Sequence, residues 1–305
     1  MLLESSDRSK LFYIILLSFG GSLLLGLIAF IPELFAPGIS GDLNYLRISI
    51  LLQDVLVLIL PAMMVFKWSF ADPARQIGFV RNEKLPSLLF LTFAIFILSS
   101  PAISVLAQWN EQISFPDSLG KLEAMFRQME DAALGVTDRF LNSKSYTDLF
   151  LNLFIIAAMA ALAEEIFFRG AIQQLLERWF KNGHAAVWVA AFIFSAIHMQ
   201  FYGFIPRLLM GAVLGYLFLY TKNLWVPIFY HFINNASVVL VKFSIGETSF
   251  YDKMENLELN WTSWSAMLIS LLLTIYLLGK LRISTLRSKR MNEVETWEEN
   301  ELQEN

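Results

Sequence analysis

Leu149-Phe-Leu-Asn-Leu-Phe-Ile-Ile-Ala-Ala-Met-Ala-Ala-Leu-Ala-Glu164-Glu165-Ile-Phe-Phe-Arg169-Gly170 is the stretch on which the fold turns. From Leu149 to Ala163 it is apolar on every side, with Asn152 the single polar interruption. A helix in water needs only one apolar stripe, so a helix apolar all round is buried in protein or in lipid. Counted on to Gly170 the stretch is 22 residues, near the roughly 20 that cross the hydrocarbon core of a bilayer. Three charges then close the run, where an ionisable group costs roughly 2.5–3.5 kcal/mol on insertion scales. They need a reason to be there.

Seven further stretches of similar character flank this one. With it they occupy 11–33, 48–66, 86–107, 149–170, 186–203, 204–220, 224–242 and 263–279. The pattern predicts an all-α fold, a polytopic membrane helix bundle of about eight transmembrane helices. Composition agrees: 56% of residues are hydrophobic and 16% charged, against roughly 45–50% and 25% in soluble domains. The run from Leu11 to Ile31 is too long for a signal-peptide core and lacks a small-residue cleavage site, so it is expected to remain as a helix. Cysteine is absent, which excludes disulfides, thiolate metal sites and cysteine nucleophiles. The lipid bilayer is the expected partner; no nucleic acid and no nucleotide is expected.

Orientation follows from the distribution of Lys and Arg. Segments on the side of the N-terminus hold fourteen of them and those on the opposite side hold six. Both termini are therefore expected in the cytoplasm of a multi-pass cell-membrane protein, with the loop 108–148 outside. In that loop Leu122, Met125, Phe126, Met129 and Ala133 recur at helical spacing among charged residues. This predicts an amphipathic helix, either interfacial on the membrane surface or capping the bundle. No internal repeat is visible.

The ionisable and carboxamide groups inside apolar helices form a short set: Asp54; Glu164, Glu165 and Arg169; His198; His231 with Asn234 and Asn235. Glu165 and Arg169 are four apart and share a helix face, so they can pair. Glu164 is rotated by about 100° and left free to face a cavity. Phe194 and His198, and His231 and Asn235, repeat the four-residue spacing. A histidine and a carboxamide can donate to an oxyanion. The bland alternatives are an intrahelical ion pair with one snorkelling acid, and polar contacts that glue helices together.

Taken together, Glu164-Glu165-x-x-x-Arg169, Phe194-x-x-x-His198 and His231-x-x-x-Asn235, in that order on successive apolar helices, resemble the signature of the CPBP family. These are the CAAX-protease and bacteriocin-processing enzymes, also called the Abi or type II CAAX endopeptidase family. Gly211-x-x-x-Gly215 resembles the family's small-residue packing face. The resemblance implies an intramembrane endopeptidase acting on a membrane-associated peptide or protein. It assigns Glu164 as base, Glu165 as paired acid, Arg169 as orienter, His198 as site histidine, and His231 and Asn235 as oxyanion donors. It divides the chain into an N-terminal three-helix region with an extracytoplasmic loop (1–148), a catalytic helical core (149–242), and a last transmembrane helix with a charged cytoplasmic tail (243–305).

The family's metalloprotease label leaves the cofactor open. Glu164, His198 and His231 could hold zinc with one open position. However, the His-Glu-x-x-His spacing is missing, and one glutamate cannot easily be both ligand and base. A metal-free water activated by Glu164 is preferred. Two competing readings stand beside the protease: a proton-coupled transporter, and a catalytically silent immunity or scaffold protein on the same fold. Helical rise adds one tension. From a helix start near Ala186, His198 lies about 18 Å along, past the midplane, while Glu164 and His231 are expected nearer the cytoplasmic side.

Overall fold

A computed structural model describes residues 5–142, 145–246, 248 and 257–304, the last seventeen of these by backbone alone. Much of the expected charged tail, including Asn305, thus lies outside the residues whose side chains are described. Among the described residues there is no strand. The helices are α1 (Asp7–Phe35), α2 (Leu43–Ser69), the short α3 (Pro73–Ile77), α4 (Leu85–Glu111), α5 (Gly120–Leu141), α6 (Tyr146–Phe180), α7 (Gly183–Ala196), α8 (Phe204–Thr221), α9 (Trp225–Ile245) and α10 (Trp261–Glu304).

Several helices start where a side chain satisfies the orphan N–H groups of the first turn. Ser6 caps α1, Asp42 caps α2 through the N–H groups of Asn44 and Tyr45, and Asn182 caps α7 through those of His184 and Ala185. Seven helices are long and apolar enough to span a membrane: α1, α2, α4, α6, α8, α9 and α10 over Trp261–Arg287. This is a polytopic helix bundle, with one correction to the expected eight spans. The stretch 186–203 is a 14-residue helix, α7, which reaches only about 21 Å, followed by a turn over 197–203.

The connecting segments sort into two ends. At one end Leu224 N–H donates to the Gly78 carbonyl, Asn223 to that of Val80, and Lys222 pairs with Glu177. Arg8 lies over Trp179 there, and Lys10 over Phe70. At the other, Arg47 of α2 pairs with Asp148 at the start of α6 at 2.6 Å, and Asn152 donates to the Phe140 carbonyl. The segments counted together by charge are thus the ones that meet.

Helix α5 is the expected amphipathic helix, and its contacts are those of a cap. It rests on the 197–203 turn, where Phe126 stacks on Phe201 with rings 5.1 Å apart and Arg127 lies 3.7 Å over the Tyr202 ring. The depth tension also has a structural answer. Measured from the link 181–182 that joins α6 to α7, Glu164 is sixteen residues from Phe180 and His198 fifteen from Gly183. At 1.5 Å per residue Glu164 is about 24 Å along α6, and α7 ends about 20 Å along at Ala196, with His198 in the turn just past it. The early end of α7 and the 35-residue length of α6 bring both to one level.

Candidate active site

Two π-helical stretches interrupt α6, Leu153–Met159 and Ile166–Gln173, and a third interrupts α2 at Asp54–Ile59. Such stretches interrupt the i→i−4 ladder and occur frequently at functional sites. All three border the same region.

The charged pair sits at its centre. Arg169 Nη1 donates to Glu165 Oε1 at 2.8 Å, with side-chain exposures of 1% and 0%. Arg169 Nη2 donates to the Gly211 carbonyl at 3.1 Å, and the guanidinium lies 4.7 Å from the Phe194 ring. One turn along, Gln173 donates to the Gly215 carbonyl at 2.9 Å. The two glycines serve a second purpose. A Cβ on Gly211 would lie 3.1 Å from the Ala191 methyl, and one on Gly215 would lie 2.9 Å from a Val187 methyl. The glycines let α7 and α8 approach while their carbonyls face α6, so backbone oxygens solvate the polar face of α6 where water is absent.

His231 Nδ1 donates to the same Glu165 oxygen at 2.8 Å. Its Nε2 is 3.8 Å from Glu164 Oε2, too long for a hydrogen bond. His198 lies just beyond the end of α7, where Met199 takes a left-handed conformation with φ 54°. Its Nδ1 donates to the Phe194 carbonyl at 2.7 Å; a carbonyl can only accept, so Nδ1 carries the proton and Nε2 is left as the ring's other nitrogen. Phe194 meets both imidazoles edge-on, at 5.2 Å from His198 and 6.0 Å from His231. Asn235, one turn after His231, donates Nδ2 to the Ile156 carbonyl inside the first π stretch of α6 at 3.0 Å and accepts from Asn234. Glu164, Glu165, Arg169, His198 and His231 therefore share one neighbourhood, with Asn235 against its α6 wall.

The two glutamates differ as their rotation about the helix requires. Glu165 is enclosed, while Glu164 reaches a cavity of about 630 Å³ whose wall also includes Ser18, Ser22, Gln53, Phe167 and His198. Glu164 Oε2, Glu165 Oε2 and Asp54 Oδ2 are buried without a hydrogen-bond partner among the described residues. Asp54 is 4% exposed and close enough to Glu164 for the two charges to interact. A metal would need a converging donor set, and among the described residues no three His, Cys, Asp or Glu side chains form one. The residues present do not fit a zinc site with three protein ligands.

Sequence spacing did not show what holds the 197–203 turn on which His198 lies. Buried Asn110, at the end of α4, donates to the Phe201 carbonyl at 2.9 Å and accepts from Ile205 N–H at 2.8 Å. Glu130 of α5 accepts from Tyr202 N–H at 3.2 Å and from Gln200 Nε2 at 3.3 Å. Burial raises the Glu130 carboxyl above its ordinary value, opposed by the bond from Tyr202 N–H and by Arg207. These partners lie far away in sequence, and an asparagine late in an apolar helix carries no signal of its target.

Comparison with known proteins falls on the same segment. Residues 146–237 match the family model described as Type II CAAX prenyl endopeptidase Rce1-like, where the three motifs lie. An uncharacterized protein, YpbD of Bacillus subtilis (strain 168), is 32% identical over 107 residues, 33% of this chain and 49% of that protein. The match thus spans about half the length of this curated relative. No solved structure matches the chain.

Proposed function

We propose that the Rce1-like segment makes this chain an intramembrane endopeptidase, which hydrolyses a peptide bond of a membrane-associated protein or peptide with a water activated by Glu164. The observation that carries the reading is the division of labour between adjacent acids: Glu165 is closed in by Arg169 and His231, while Glu164 opens onto a cavity it shares with His198.

Glu164 and His198 line the same cavity, and the attacking water is assigned to it. Glu164 takes its proton as the oxygen attacks the substrate carbonyl carbon, and negative charge moves to the carbonyl oxygen. Donors fixed before the reaction stabilise that charge without reorganising. His231 and Asn235 are assigned this role, His231 through Nε2, which donates only with both ring nitrogens protonated because Nδ1 already donates to Glu165, and Asn235 through the amide hydrogen not used on Ile156. The C–N bond then breaks, and the proton held by Glu164 passes to the leaving amine. No step uses a metal. Stoichiometric zinc in active purified protein, with activity lost on its removal and restored on its return, would replace this scheme.

The transporter reading gains nothing from the sequence, in which no internal repeat is visible. Comparing the termini of membrane peptides in cells carrying the intact protein or Glu164→Gln tests the protease reading. New termini should appear only with the intact protein; identical termini would favour the silent scaffold.

A further inference from the structure

The wall of the Glu164 cavity opposite the catalytic groups comes from α1 and α2, outside the segment that matches the endopeptidase family. It is apolar apart from a few groups, and two of those are unsatisfied. Gln53 is exposed and its carboxamide makes no hydrogen bond among the described residues. Ser18 Oγ is buried and without a partner among the described residues. Its neighbour Ser22 shows the usual outcome for a serine in an apolar helix, donating to the carbonyl four residues back, that of Ser18, at 3.0 Å. Ser18 does not fold back in this way.

Unsatisfied polar groups at bilayer depth are costly. A carboxamide and a hydroxyl each donate and accept, which is the complement of a peptide group and not of a lipid tail. Across the cavity stand Glu164 and His198, so a chain lying between the walls would meet both sets at once. We infer that Gln53 and Ser18 form a peptide-backbone subsite, which hydrogen-bonds the main chain of the substrate and sets its register against Glu164. The inference rests on the protease reading and adds to it a binding site on helices to which the family match assigns no role.

Bonds of this kind hold substrate and transition state alike, so their loss raises KM and spares kcat. The test uses the full chain in lipid nanodiscs and a fluorogenic membrane-associated peptide, made with and without a prenyl group. A second series replaces single amides near the scissile bond by esters. Gln53→Leu and Ser18→Ala should each raise KM roughly 3- to 10-fold, the loss expected for one hydrogen bond, with kcat unchanged. One ester position should weaken binding to the wild type and have no further effect in Gln53→Leu. The ester comparison is internal to each protein, so a partly misfolded variant does not mimic it. Unchanged KM in both variants, with the same ester sensitivity as the wild type, overturns the subsite while leaving the protease intact. Failure of the wild type to cleave any of the peptides overturns the protease reading and the subsite with it.

Discussion

Asn235 has two amide hydrogens, and one of them is committed to the Ile156 carbonyl. If the other serves the oxyanion, Asn235→Ala lowers turnover about 100- to 1,000-fold with KM and folding nearly unchanged. Asn235→Asp is more severe, because a charged acceptor replaces the donor at the same size. Lower thermal stability in detergent, with turnover per folded molecule preserved, would instead make Asn235 a brace for the π stretch of α6. Arg169 calls for the opposite expectation. Removing it strands the fully buried Glu165, so Arg169→Ala should cost about 3–5 kcal/mol of stability. Arg169→Lys should restore little of this, since one guanidinium spans both Glu165 and the Gly211 carbonyl. Thermal unfolding measures both variants. These residues were legible in the sequence because ionisable groups are scarce in apolar helices, and because a four-residue spacing already places Glu165 beside Arg169. The bond from His231 to Glu165 was not legible, since it joins two helices.

The turn 197–203 is the element that sequence reading describes least well. Hydrophobicity runs on through Ile197 and Met199, and no glycine or proline marks the end of α7 at Ala196. The chain turns there through a left-handed methionine and is then held from outside by Asn110 and Glu130. The π stretches escaped notice for a similar reason, as a run that is nearly all apolar has no periodicity for an extra residue to interrupt. If the clamp positions His198, Asn110→Ala should lower kcat with KM little changed. Asn110→Asp should recover part of the loss, keeping the acceptor for Ile205 N–H and losing the donor to Phe201. Equal effects of the two substitutions on stability alone, with kcat per folded molecule intact, would limit Asn110 to holding the fold.

At the scale of the molecule, the division of basic residues between the two ends of the bundle predicts its orientation, with the end that carries both termini in the cytoplasm. The lack of cysteine gives a clean assay, since any introduced thiol is the only one present. Asp117→Cys, in the segment leading to α5, should react with an impermeant maleimide added to intact cells, and Lys181→Cys, between α6 and α7, only after permeabilisation. The reverse labelling would invert the topology. Fold class was legible throughout because lipid demands long apolar helices. The number of spans was not, because an apolar stretch does not reveal where its helix stops. In the proposed reading, the bundle as a whole brings one carboxylate, Glu164, to a cavity within the bilayer where water and a peptide meet. The most direct measurement of that claim is hydrolysis of a membrane-associated reporter peptide by purified protein in nanodiscs, comparing wild type with Glu164→Gln. The account predicts a single new pair of termini with the wild type and a loss of at least about 100-fold with the variant, the scale of a lost general base, at equal thermal stability. Equal cleavage by the two proteins would contradict it.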